Sequence, residues 1–216
     1  MPTLTPAQPD LETLHALHFE DPDGTRFREL PEETSHFEFL GLPRRLVIDT
    51  AAAQTVFYAL SRKFHPDYHG GAEDAVKQVA LERTAALNAA WRALRDPQPR
   101  AEYLLTITAP DIKPGKNAVP PELLEDLFDI QEAGEEVRAA RLGGDAAALD
   151  AAEARVASLR ERAAATRAAH QRELEALFAE YDASALSGSE TTSIHARIRK
   201  TIDQLNYLRT VLRNLR

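Results

Sequence analysis

Arg62-Lys63-Phe64-His65-Pro66-Asp67-Tyr68-His69-Gly70-Gly71 is the stretch on which the fold of this chain turns. Before it, Thr50 to Phe64 places Ala53, Val56, Phe57, Leu60 and Phe64 at helical spacing, which gives a helix one buried face. Pro66 has no N–H and drives His65 out of the α region, so the helix must stop there. A glycine-bearing loop follows, and a second helical run starts near Ala72. The product is a helical hairpin whose tip presents the His65 imidazole and the Asp67 carboxylate side by side.

Working outward, residues 35–108 read as a four-helix unit. A short first helix covers Ser35 to Leu40 and is ended by Gly41 and Pro43. Asp49 can cap the helix that begins at Thr50. The third helix runs from about Ala72 to Arg95, with Val76, Val79, Leu87, Trp91 and Leu94 on one side. Asp96 followed by Pro97 marks a new start, a cap and then a proline in the first turn. Upstream, residues 1–34 are punctuated by Pro2, Pro6, Pro9, Pro22 and Pro31 and read as extended or disordered, with a short hairpin around Gly24. Downstream, residues 109–121 carry Pro110, Pro114, Gly115, Pro120 and Pro121 and read as a linker.

Residues 122–216 hold three long helical runs: Glu122 to Leu142, Asp145 to Asp182, and about Glu190 to Leu215. Gly143-Gly144 and Leu186-Ser187-Gly188-Ser189 separate them. Turns this short force antiparallel neighbours, which predicts a three-helix bundle. In the middle run Leu149, Ala152, Val156, Leu159, Ala163, Thr166, His170, Leu174, Leu177 and Tyr181 alternate by three and four, a coiled-coil-like seam in which alanine buries little. The chain is therefore expected to be all-α.

Composition narrows the function. The 216 residues contain no cysteine, which removes disulfides, thiolate metal sites and a cysteine nucleophile. A net charge of −8 argues against broad nucleic-acid binding. No apolar run approaches a membrane span. The N-terminus lacks a basic stretch followed by an apolar core, and Asp10, Glu12, Glu20, Asp21 and Asp23 disfavour a mitochondrial targeting segment. A cytoplasmic, bacterial protein is the expectation. There is no phosphate-binding glycine loop and no ordered Ser/His/Asp set, so no catalytic residue, cofactor or metal is expected.

Two groups of residues admit more than one use. His65 and Asp67 read as an acid/base pair, as metal ligands or as a polar turn; Pro66 prevents the helix that would bring His65 and His69 to one side for a metal. On the first bundle helix, Leu123, Leu127, Ile130, Gly134 and Val137 form the stripe that faces the bundle. Leu124 and Phe128 form a second stripe one position round, flanked by Asp129 and Glu132. That second stripe is either a partner face or the edge of a wide apolar face packing both neighbouring helices. Tyr207 lies about 200° round the last helix from Leu205, as an interface anchor or a singly exposed tyrosine.

The hairpin, together with Asn88-Ala89-Ala90-Trp91-Arg92-Ala93-Leu94-Arg95-Asp96-Pro97 and Arg100-Ala101-Glu102-Tyr103-Leu104-Leu105, resembles a J domain, and within J proteins the HscB subfamily of iron–sulfur-cluster co-chaperones. The resemblance runs from about Ser35 to the C-terminus. It implies a J domain with its His-Pro-Asp loop, followed by a bundle that binds an IscU-type scaffold. It also implies that His65, Pro66 and Asp67 dock on a DnaK/HscA-type chaperone and bias it toward ATP hydrolysis, with Arg62 and Lys63 facing acidic residues of that partner. Taken singly, either base is equally an ordinary solvated residue. Leu123-Leu124-Glu125-Asp126-Leu127-Phe128-Asp129-Ile130-Gln131-Glu132 resembles the family segment that grips the scaffold, and Leu124, Phe128, Asp129 and Glu132 fall on its contact positions. Glu125 stands where many members carry an apolar residue. Leu205-Asn206-Tyr207-Leu208 resembles the segment with an aromatic scaffold contact at Tyr207. Eukaryotic members carry a cysteine-containing zinc segment upstream, which this chain lacks. Other readings are a general J-protein adaptor with another client and a structural coiled-coil protein that self-associates through its middle helix.

Overall fold

A computed structural model describes residues 5–115 and 124–214, with side chains from Phe128 onward in the second stretch. The helices are α1 (Leu11–His18), α2 (His36–Phe39), α3 (Thr50–Phe64), α4 (Asp74–Leu94), α5 (Pro97–Thr108), α6 (Leu124–Gly143), α7 (Ala146–Ser187) and α8 (Thr192–Asn214). A 3₁₀ turn, Pro66–His69, joins α3 to α4. Among the described residues extended pairing is limited to two isolated bridges, Ala7 with Ile48 and Phe19 with Phe27. The chain divides into two compact units, Met1–Pro110 with Phe178–Thr192, and Asp111–Leu177 with Ser193–Arg216.

Local chemistry starts and stops the helices of the first unit. Ser35 and Glu38 form a reciprocal capping box on α2. The Asp49 carboxylate accepts from the Ala52 N–H at 2.9 Å and caps α3, as its position predicts. Asp96 precedes α5 as expected but its side chain caps nothing; it pairs with Arg95 at 2.9 Å instead. The end of α4 is served by a residue the sequence did not single out. Buried Arg100 donates to the carbonyls of Leu94 at 2.9 Å and Leu46 at 2.7 Å, and burial pulls its pKa down to about 10.

The core of this unit is built from large side chains. Phe37, Leu40, Leu46, Phe64, Leu87, Leu94 and Leu104 are fully buried. Each such side chain contributes roughly 1.5–3 kcal/mol by leaving water. The predicted stripe of α3 is observed, with Ala53, Val56, Leu60 and Phe64 buried. Phe57 is half-buried and stacks on Trp91, ring centroids 5.1 Å apart.

Residues 5–34 depart from the expectation of an extended or disordered segment. Asp10 caps α1, accepting from the N–H groups of Glu12 and Thr13. Leu14, His18 and Phe19 are buried in the first unit. Proline frequency misled here because the prolines lie outside the helix, while the apolar residues between them find long-range partners. The short hairpin around Gly24 is present: Glu20 N–H donates to the Arg26 carbonyl, Arg28 N–H to the His18 carbonyl, and Gly24 sits at φ 69.

The middle helix departs as well. α7 continues past Asp182 to Ser187, and its end counts with the first unit. Asp182 is fully buried there, accepting from the Leu46 N–H at 2.8 Å and the Val47 N–H at 2.9 Å. Arg45 lies 3.4 Å from it. Burial raises the Asp182 pKa despite these bonds. A first domain confined to 35–108 therefore omits both its N-terminal packing and this clip.

In the second unit, Ala133, Leu159, Ala163, Leu208 and Val211 form a buried cluster, with Ile130, Val156, Tyr207 and Leu212 packed against it. Gly144, at φ 67, turns α6 into α7. On α8, Ile194, Ile198, Ile202, Leu205 and Leu208 recur at helical spacing and are buried. Of the expected linker, residues 116–121 lie outside the described residues; Gly115 N–H donates to Asp203 of α8 at 3.0 Å.

Candidate functional site

The tip of the α3–α4 hairpin is set by backbone geometry. His65 ends α3 at φ −63, ψ 130, the extended conformation that a following proline demands. Pro66 then opens the 3₁₀ turn. The Asp67 N–H donates to His65 Nδ1 at 3.2 Å, so His65 caps the turn that it precedes. With Nδ1 accepting, the neutral ring carries its proton on Nε2. The Asp67 carboxylate lies 3.7 Å from Nδ1, and the two side chains are 60% and 92% exposed. Both polar groups face solvent with hydrogen-bonding capacity to spare.

His69 does the opposite. It is buried, and its Nε2–H donates to the Lys63 carbonyl at 2.8 Å, tying the turn back to the last residues of α3. His65 and His69 therefore serve different ends, one outward and one structural. Arg62 is exposed. Lys63 is half-buried, its ammonium donating to the Asp23 carbonyl at 3.3 Å and lying 5.0 Å above the Phe19 ring. The two bases read alike in the sequence have different surroundings.

On α6, Phe128 is 65% exposed, a large apolar side chain outside the bundle core. The side chain of Leu124 lies outside the described residues. Asp129 and Glu132 are not isolated carboxylates. Arg155 of α7 reaches Glu132 at 2.7 Å, Glu136 at 2.5 Å and Asp129 at 3.9 Å, and Arg162 reaches Asp129 at 3.5 Å. Glu132 foremost, and then Glu136, raise the Arg155 pKa. Arg155 was not singled out from the sequence; its partners lie on another helix, and only a bundle register could have paired them. Tyr207 is half-buried against the Ala133–Leu159–Leu208 cluster rather than standing free of it.

No family model matches the chain. A Burkholderia multivorans protein named Co-chaperone protein HscB homolog is 36% identical over 128 residues, covering 59% of this chain and 70% of that protein. A Ralstonia nicotianae protein of the same name is 35% identical over 117 residues, covering 54% of this chain and 65% of that one. Among solved structures, HscB from Vibrio cholerae aligns with a TM-score of 0.55 at 23% identity, covering 84% of this chain and 94% of that one. Human HscB aligns with a TM-score of 0.57 at 16% identity, covering 99% and 92%. These two establish the fold as all-α, a J domain followed by a C-terminal helical bundle. With an exposed His-Pro-Asp tip on that fold and relatives above 30% identity, the chain belongs to the HscB family of co-chaperones.

Proposed function

We propose that this chain binds an IscU-type iron–sulfur scaffold through its bundle, delivers it to a DnaK/HscA-type chaperone and stimulates that chaperone's ATPase, promoting cluster transfer. The observation that carries the reading is the pair His65 and Asp67, exposed at the tip of a capped turn on the fold shared with HscB. The chain makes and breaks no covalent bond in this scheme; the hydrolytic site belongs to the partner. His65, Pro66 and Asp67 dock on the chaperone, and Arg62 adds to encounter rate and orientation more than to affinity. Phe128 and Leu124 supply the apolar part of the scaffold face, and Tyr207 is its aromatic contact. Asp129 and Glu132 contribute charge already balanced by Arg155, so their share is in steering. Among the described residues no helix is long and apolar enough to cross a membrane, and we place the protein in the bacterial cytoplasm.

His65→Gln and Asp67→Asn should each abolish stimulation of the chaperone ATPase while leaving helicity and scaffold binding unchanged, because both side chains are solvent-facing. Steady-state ATPase assays at increasing co-chaperone decide it. Full stimulation by both variants would overturn the reading of the loop.

A further inference from the structure

The hairpin closed at Gly24 lies against the His-Pro-Asp loop from within the same unit. Its two aromatic residues, Phe19 and Phe27, stack with ring centroids 5.8 Å apart. Phe27 also meets the His69 ring at 5.0 Å, and His69 holds the Lys63 carbonyl at 2.8 Å. From above, the Lys63 ammonium folds back onto the Asp23 carbonyl at 3.3 Å and the face of Phe19 at 5.0 Å. A Cβ at Gly24 would run into the Lys63 ammonium, and the residue's φ of +69 disfavours a side chain there in any case. Both sides of the loop's root, the buried histidine and the half-buried lysine, are thus gripped by one upstream segment.

We propose that the Phe19–Phe27 hairpin is a brace that holds the His-Pro-Asp loop in its docking conformation, and that Lys63 serves this brace in cis while Arg62 is the base that faces the chaperone. This rests on the reading that the loop docks on a DnaK-type ATPase. Phe19, Phe27, His69 and Lys63 are then positioning residues. An ammonium that already has a carbonyl acceptor and an aromatic face has less to gain from a partner's carboxylate than an exposed guanidinium has. A braced loop spends more of its time competent to bind. Loosening the brace weakens apparent affinity by the lost competent fraction, and leaves stimulation at saturation intact.

The test compares the full chain with Phe27→Leu, which keeps apolar volume but loses the ring on His69, and with Lys63→Met, which keeps the stem but loses the ammonium. Arg62→Gln is the comparator. Amide hydrogen exchange is read at Tyr68 and Gly70, whose N–H groups bond the His65 and Asp67 carbonyls across the loop. Exchange there should rise about tenfold in Phe27→Leu and Lys63→Met, as local opening becomes easier. In ATPase titrations the half-saturating concentration of these two variants should rise roughly 3–10-fold with the same maximum. Arg62→Gln should instead flatten the salt dependence of that concentration, which Lys63→Met should not. Unchanged exchange in both brace variants overturns the proposal, as does faster exchange with an unaltered half-saturating concentration. Flattening by Lys63→Met equal to that by Arg62→Gln overturns the assignment of Lys63. If the wild-type chain stimulates no DnaK-type ATPase, the docking reading fails, and the exchange data alone decide whether the brace exists.

Discussion

The His-Pro-Asp tip and the Phe128 face are both open to solvent, but what lies under them differs. Beneath the tip is a floor of aromatic rings: Phe64 is fully buried and meets His18, Phe19, Phe27 and Phe39 at centroid distances of 5.1 to 6.2 Å. On α6, which carries Phe128, the buried side chains among the described residues are alanines, Ala133 and Ala140. Large rings interlock and fix one arrangement, whereas a methyl group buries little and specifies little. The lesson is that two equally exposed surfaces rest on different packing: interlocked rings under the tip, and small side chains along the described part of α6.

The strongest way to break this contrast is at the floor itself. Phe64→Ala should cost about 3–5 kcal/mol of stability in the first unit, the range for emptying a buried aromatic site. Trp91, the single tryptophan of the chain, reports on that unit in urea titrations. A loss below 1 kcal/mol would mean that the rings do not form a common core.

Next in size is a pH effect from the same floor. Burial holds the pKa of His18 down at about 4, against 6.5 for a free imidazole, and its Nε2–H donates to the Phe39 carbonyl at 3.0 Å. Between these values the unfolded chain takes up a proton that the folded chain refuses. Stability from the neutral ring is therefore complete above pH 6.5 and is lost as pH falls through about 4. The loss should reach about 2–4 kcal/mol, at 1.36 kcal/mol per pKa unit. Urea midpoints followed by Trp91 should fall between pH 7 and 4, and His18→Leu should flatten that slope.

On α6 the expected signs differ. Phe128→Ala should change stability by no more than about 0.5 kcal/mol, as an exposed substitution does. It should weaken binding to a purified scaffold by about 1–3 kcal/mol. A lower melting temperature with unaltered binding would return Phe128 to the bundle core. The smallest effect sharpens the contrast from the other side. A Cβ at Gly134 meets nothing within 4 Å, so Gly134→Ala should stabilise the bundle by about 0.5–1 kcal/mol through helix propensity alone. If α6 adjusts to its partner, this stiffer variant should bind the scaffold with an altered off-rate.

What could be read from the sequence was what local chemistry decides. α3 runs from Thr50 to Phe64 as its periodicity and Asp49 cap predict, because cap, stripe and Pro66 all act within a few residues. The glycines at 144 and 188 mark the bundle turns for the same reason. The features not legible locally depend on contacts far apart in the chain. Asp182 acts on Leu46 and Val47, Arg100 on Leu46, and Arg155 on Glu132. The N-terminal segment carries one local signal of its fold, Phe19 and Phe27 placed symmetrically about Pro22-Asp23-Gly24, against a proline content typical of extended chain. Lys63 and Arg62, adjacent and alike in sequence, are distinguished by the hairpin around Gly24, which Lys63 contacts.

The clip at Asp182 has a consequence for the order of synthesis. The first unit draws on two separate pieces of chain, Met1–Pro110 and Phe178–Thr192. At 5–20 residues per second, roughly 4–16 s pass between the ribosome's completing the first piece and its completing the second. For most of that interval the carboxylate that the Leu46 and Val47 N–H groups bond has not yet been made. A nascent chain can thus display the His-Pro-Asp tip before the unit that carries it is closed, and that unit reaches its finished form only after the turn at Gly188 has been made.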